Sequence, residues 1–309
     1  MNTAVIASVT YLSSAFAHAR EHRGAAFGLG LGLVSVTLLL VQSLVVIAGG
    51  DSPKGLTYAV YGGLAGFATT TLGATFVLSV REIPRRLEDG LLGLAAGMML
   101  AAASFSLILP GLEAGIALTG GRFSGAFLVV CGMAVGVLLM LGLDAFTPHE
   151  HDSSGPCGPA PERCSRMWLF VMAMAIHNLP EGMAVGVSFG QADFSVGIPM
   201  ATAIALQDIP EGLAVALALR AIGLSPIRAI GVAGASGALE PLGALLGVTL
   251  ASGMAFAYPL GMGLAAGAMI FVVSHEVIPE THRNGHQTAA TMGLMSGFAV
   301  MMVLDTALG

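Results

Sequence analysis

Apolar runs of about twenty residues alternate along the chain with short polar interruptions. A helix rising 1.5 Å per residue needs roughly 20 such residues to cross the hydrocarbon of a bilayer. Nine stretches meet that length: Phe27–Ala48, Thr57–Val80, Gly90–Leu109, Phe123–Leu143, Met167–Phe189, Val196–Leu219, Ile227–Ala251, Ala257–Val277 and Thr288–Leu308. None shows the period-two alternation of a barrel strand, so the pattern predicts an all-α, polytopic transmembrane helical bundle. Residues 27–308 read as a single membrane domain, with a segment 1–26 before it and a loop at 146–166 within it.

Composition agrees with the pattern. The 309 residues are 55% hydrophobic and 10% charged, against roughly a quarter charged in a soluble domain. Mean hydropathy is +0.85. Too few charges remain to cover a soluble surface. Lys and Arg total 12 against 18 acids with no basic run, which excludes a nucleic-acid partner.

The basic residues predict orientation. Arg20, Arg23, Arg81, Arg85, Arg86, Arg163, Arg166, Arg220, Arg228 and Arg283 fall in one set of loops, and only Lys54 and Arg122 in the other. The positive-inside rule then puts the N-terminus in the cytoplasm and the C-terminus outside, which requires an odd number of spans. Ala17-His18-Ala19 has the small-residue form of a cleavage site, but no positive residue precedes the apolar stretch before it. Residues 1–26 therefore read as a cytoplasmic or surface-lying lead-in rather than a cleaved signal. Cys131 lies in a span, and Cys157 and Cys164 share one cytoplasmic loop at a spacing that is not that of a zinc-ribbon pair.

Candidate chemistry comes from polar residues placed where lipid should exclude them. His177-Asn178-Leu179-Pro180-Glu181-Gly182 and Gln207-Asp208-Ile209-Pro210-Glu211-Gly212 are one pattern written twice, on consecutive predicted helices. Glu240-Pro241 adds an acid beside a proline in the next. His177 and Gln207 each stand about 17–18 Å from the same membrane face at the helical rise, so the motifs are level near the midplane. Within each motif, residues four apart share a face, pairing His177 with Glu181 and Gln207 with Glu211. Pro180 and Pro210 each remove a backbone donor, a disruption tolerated in lipid where it lines a cavity.

An ionised acid at the bilayer centre costs about 2.5–3.5 kcal/mol. No span interior holds a Lys or Arg to offset it. Glu181, Asp208, Glu211 and Glu240 must therefore be protonated or share bound cations. Four carboxylates with an imidazole and two amides suit a divalent metal, and the imidazole turns preference from calcium and magnesium toward zinc, cadmium, iron or nickel. Met99, at the centre of the third span, is a packing residue on composition alone and a soft ligand if it faces the layer. Helix–helix polar glue accounts for an Asn or a Gln, but not for four acids and a histidine at one depth.

Asp144, His149, His151, His275, Glu276 and His286 lie on the cytoplasmic side and suggest weak receiving sites for a metal leaving inward. Ser106 and Asp305 mark a candidate external entrance, with Glu113 nearby.

HNLPEG and QDIPEG, followed by Glu240-Pro241 and by His275-Glu276-Val277-Ile278-Pro279-Glu280, resemble the ZIP (Zrt/Irt-like) metal transporters, as does the histidine-bearing loop before them. The resemblance runs from about Gly90 to Leu308, in a bacterial form whose first span is an extra helix added to an eight-helix core. It implies uptake of zinc, and often cadmium, iron or manganese, into the cytoplasm by alternating access. It further implies a binuclear site, with one ion held by Met99, His177, Glu181, Gln207 and Glu211 and another by Asn178, Glu181, Asp208, Glu211 and Glu240. A homodimer in the cell membrane is implied too. Gln207 stands where many eukaryotic relatives carry histidine, which bears on metal preference.

Two other classes share some of these features. An intramembrane zinc protease needs H-E-x-x-H, and His275-Glu276 has no second histidine one turn on. A proton- or sodium-coupled carrier of a small organic solute also uses broken helices and midplane acids. Its flux would be indifferent to divalent metal.

Overall fold

A computed structural model of the chain describes residues 18–49, 55–79, 84–146, 149–151, 155–157, 178–221, 223–252, 255–282 and 284–308. Nine helices longer than ten residues run through them. They are α1 (Arg23–Ala48), α2 (Leu56–Thr75), α3 (Arg85–Thr119), α4 (Arg122–Phe146), α5 (178–188), α6 (Phe194–Ala221), α7 (Pro226–Ala251), α8 (Ala257–Val277) and α9 (Gln287–Leu308). Among the described residues α3, α4, α6, α7, α8 and α9 are long and apolar enough to cross a membrane. The chain is an all-α polytopic membrane protein. Between α4 and α5 lies a small antiparallel hairpin of β1 (His149–His151) and β2 (Gly155–Cys157), in the segment expected to be loop.

Most helix limits fall within a few residues of the expected spans, but α3 does not. Expected to end at Leu109, it continues to Thr119, past Pro110. A π-turn, Ala103–Ile108, precedes that proline, and the Leu109 N–H reaches back five residues to Ser104 O. A proline ring clashes with the carbonyl four residues before it, and the wider π-turn opens that space, so the helix passes through. The same device recurs in α8, where the π-turn Val273–Val277 sends the Ile278 N–H to Val273 O just before Pro279. Ser106 lies in the first π-turn, and His275 and Glu276 lie in the second.

Close helix pairs build the bundle, and paired glycines set their approach. Gly93 and Gly97 of α3 meet the backbone of Ala290 and Leu294 of α9, whose Gly293 and Gly297 meet Gly90 and Leu94 in return. Gly132 and Gly136 of α4 meet Leu260 and Leu264 of α8, whose Gly263 and Gly267 meet Val129 and Met133. Gly182 and Gly186 of α5 meet Glu240 and Ala244 of α7, whose Gly243 and Gly247 meet Leu179 and Met183. A β-carbon at Gly97 would lie 1.9 Å from Leu294 O, at Gly136 2.1 Å from Leu264 O, and at Gly186 2.1 Å from Ala244 O. Without hydrophobic drive between helices in lipid, small residues four apart give the backbone contact that holds helices together. Outward faces are apolar: Phe123, Phe127, Met292, Val303 and Ile227 are all exposed.

α2 lies against both α6 and α7, and α5 is locked to α7 through its glycines. These four helices surround the duplicated motifs. α7 is interrupted at Ala238, where Pro226–Gly237 ends and Leu239–Ala251 begins. Glu240 thus occupies the first turn of a new helical segment, where the aligned peptide dipoles favour an acid.

Candidate metal centre

Three elements deliver carboxylates to one point. Glu181 comes from α5, Asp208 and Glu211 from α6, and one oxygen of each lies within 4.8 Å of the others. Zinc–oxygen bonds of about 2.0–2.2 Å put neighbouring ligand oxygens roughly 3.0–3.5 Å apart, so small rotamer shifts would close the trio on an ion. Glu240 of α7 joins them: a β-carbon at Gly66 would lie 1.6 Å from Glu240 Oε2 and 3.0 Å from Asp208 Oδ2. The glycine on α2 is therefore what lets two carboxylates reach that space.

Three of the four acids have a neutral donor beside them. Gln207 Nε2 donates to Glu181 Oε1 at 2.6 Å. Thr70 Oγ1 donates to Glu240 Oε1 at 3.0 Å, and Thr69 Oγ1 lies 3.4 Å from Asp208 Oδ2. Glu181, Asp208 and Glu240 are buried, and Glu211 is half-buried. Glu181 faces the charges of Glu211 and Glu240, and Asp208 faces those of Glu240, Glu181 and Glu211. Arg220, nine residues past Glu211, is about 14 Å along the axis of α6. Among the described residues Glu181 Oε2, Gln207 Oε1 and Glu240 Oε2 are buried without a hydrogen-bond partner. Three unsatisfied acceptors beside mutually repelling carboxylates form an acceptor-lined space whose natural complement is a cation.

The remaining expected ligands sit as follows. Asn178 is buried at the start of α5, one turn before Glu181. Met99 is buried on α3 in the same apolar cluster as Met200 and Ile204 of α6. His177 lies outside the described residues.

At the end of the bundle that carries most of the histidines, His275 Nε2 stands 3.8 Å from Asp144 Oδ2, joining α8 to α4. Glu276 is buried beside it in the π-turn. His286 Nδ1 meets Asp89 Oδ2 at 2.9 Å. His149 and His151 occupy β1, in register with Cys157 and Gly155. Asp89 was missed in the sequence reading. It stands one residue outside the expected third span, yet it is fully buried and also accepts from Asn284 Nδ2 at 2.8 Å. Its spacing from the start of a span offered the only signal, and one acid near a boundary is unremarkable in sequence. Thr69, Thr70 and Gly66 were missed as well.

At the opposite end, Ser106 Oγ donates to Asp305 Oδ1 at 2.5 Å, linking the π-turn of α3 to α9. Both line a cavity of about 540 Å³ together with Glu113, Asp193 and Tyr258. The two residues expected at an entrance are therefore in contact, and Asp193 and Tyr258 are additions to them.

Comparison with known proteins accords with this geometry. The family described as ZIP zinc transporter matches residues 150–305, a stretch that takes in α5 through most of α9. The chain is 59% identical over 293 residues to the zinc transporter ZIPB of Bordetella bronchiseptica, covering 95% of each protein. It is 44% identical over 246 residues to the zinc transporter GufA of Myxococcus xanthus, covering 80% of this chain and 96% of that one. With the zinc transporter ZIP11 of Homo sapiens it shares 32% over 338 aligned positions, 81% of this chain and 97% of the relative. The family is one of transporters, not of enzymes. By its matched helices, its duplicated acid-bearing motifs and its near full-length relatives, the chain belongs to the ZIP family.

Proposed function

We propose that the chain moves zinc across the cell membrane into the cytoplasm, through the carboxylate layer between α2, α5, α6 and α7. The observation that carries this is the set of buried, unpartnered oxygens at Glu181 and Glu240 beside Asp208 and Glu211, with no basic side chain in the span interiors. A permanent structural ion wants closed tetrahedral coordination, whereas an oxygen-rich site that admits two ions favours exchange. Glu181 and Glu211, each available to bridge, would let the layer hold a binuclear pair with His177, Met99, Gln207, Asn178, Asp208 and Glu240. Cadmium, softer and of the same charge, would substitute.

The path runs from the Ser106–Asp305 cavity to the central layer and on to Asp144, His275, Glu276, His286 and the hairpin bearing His149 and His151. The positive-inside distribution supports this direction, placing the N-terminus and the histidine-bearing end in the cytoplasm and the C-terminus outside. Residues 27–308 act as one transport domain, with 1–26 and the loop 146–166 on the cytoplasmic face. Alternating access would expose the layer to each side in turn, and the family resemblance supports a homodimer.

The experiment is zinc and cadmium uptake into proteoliposomes with a trapped metal-sensitive dye, comparing wild type with Glu211→Ala. Saturable flux abolished in the variant supports the proposal. Equal flux in both removes the layer from the path. Zinc bound tightly by wild type without any flux would make the site structural or sensory instead.

A further inference from the structure

A second set of metal-binding side chains stands apart from the transport layer, and the path above does not use it. His18, Glu21 and His22 each offer one ligand atom, and these atoms lie within 4.8 Å of one another. The residues form the helical turn that leads into α1, with His22 N–H bonded to His18 O at 2.8 Å and Ala26 N–H to His22 O at 3.0 Å. At about 100° per residue, Glu21 and His22 fall within roughly 60° of His18, while Arg20 and Arg23 point about 140–160° away. The two cations that would oppose a metal are thus turned from the cluster.

Its position is fixed from outside the turn. The His18 ring meets the Phe146 ring edge-on at 5.3 Å and the His22 ring at 4.3 Å. Phe146 ends α4, and α1 is seated on α4 by Gly28 against Leu138, Gly32 against Leu139 and Gly142 against Leu29. Asp144, which faces His275, is two residues before Phe146. The cluster therefore sits at the histidine-bearing end of the bundle, on a different helix pair from the central layer.

We infer that His18, Glu21 and His22 form a surface site for a zinc-class divalent ion, separate from the transport layer. Two imidazoles one helical turn apart with a carboxylate are the donor set of three-ligand zinc sites that leave a position for water. A simple Glu–His ion pair engages one imidazole and leaves the second to ring packing alone. Bridging both by one ion would brace the lead-in turn against the end of α4. Imidazole donors select zinc, nickel and copper over magnesium and calcium.

The test is residue-resolved, so it stands whether or not the transport proposal does. Full-length protein in detergent is treated with diethyl pyrocarbonate across a zinc titration, and His18 and His22 are read by peptide mass spectrometry. Saturable protection of both histidines at one zinc midpoint, with none from magnesium, is expected. Glu21→Gln should raise that midpoint at least about tenfold, the low end of what losing even an outer partner costs. His22→Ala should abolish protection of His18. Unchanged modification rates at saturating zinc overturn the site, as does His18 protection that survives intact in His22→Ala.

Discussion

Asp89 and Asp208 are both buried aspartates on helices of the same bundle, and they are met very differently. Asp89, in the first turns of α3, receives Asn284 Nδ2 at 2.8 Å and His286 Nδ1 at 2.9 Å, with Arg85 Nη1 behind Asn284 at 3.1 Å. Asp208, in the middle of α6, has the Thr69 hydroxyl at 3.4 Å and faces three other carboxylates. The donors of Asp89 come from the link between α8 and α9, which Arg85 at the start of α3 also reaches through Asn284. Asp208 lies about half the length of α6 from the link at either end, and only helix side chains can answer it. A buried acid satisfied by its own protein is complete without metal, whereas a buried acid among acids is not. The two ends of this contrast assign different work to the same residue type.

The largest effect that would break the contrast concerns metal-linked stability. An ion that binds only the folded state stabilises it by about 2.7 kcal/mol at a free concentration 100 times Kd. Zinc should raise the melting temperature of the wild-type protein and of Asp89→Asn in detergent, and should raise it clearly less in Glu181→Gln/Glu211→Gln, where the central layer is disabled. An equal zinc shift in all three proteins would dissolve the distinction. Next comes Gly66→Ala. Its β-carbon would fall on the space of Glu240 Oε2, so zinc uptake should drop by more than about tenfold, the scale of a displaced partner.

A smaller change is expected for Asp89→Ala, which leaves Asn284 and His286 without their acceptor. That should cost about 1–3 kcal/mol of stability, seen as earlier thermal unfolding, while uptake measured at permissive temperature persists. Thr70→Val removes one donor from Glu240 Oε1 and should weaken zinc affinity by about 1 kcal/mol, read by competition with a chromogenic chelator. An effect of Thr70→Val as large as that of Glu181→Gln would mean that Glu240, not the α5–α6 pair, anchors the ion.

Much of this was legible before any coordinates. Span length, the arginine asymmetry and the repeat of Pro180-Glu181-Gly182 in Pro210-Glu211-Gly212 are local facts, because hydrophobic length and helical period are properties of short stretches. Ser106 and Asp305 read as a candidate external entrance, and they touch. What escaped was pairing. The glycines at 93, 97, 293 and 297 look like any small residues in an apolar helix until two helices are set side by side. The π-turns before Pro110 and Pro279 were unreadable too, since a proline in sequence says only that a donor is missing.

Sequence alone determined that this protein spans the membrane, that its acids fall in apolar stretches whose interiors hold no Lys or Arg, and that two motifs are copies of each other. These follow from the cost of exposing charge to lipid, which one helix pays on its own account. Tertiary structure decided which oxygens are answered and which are left open. Thr70 reaches Glu240, Gln207 reaches Glu181, and His286 reaches Asp89 only because glycine contacts bring separate helices within hydrogen-bond distance. Hydrogen bonds act over about 3 Å, so no pattern along a single helix can specify them.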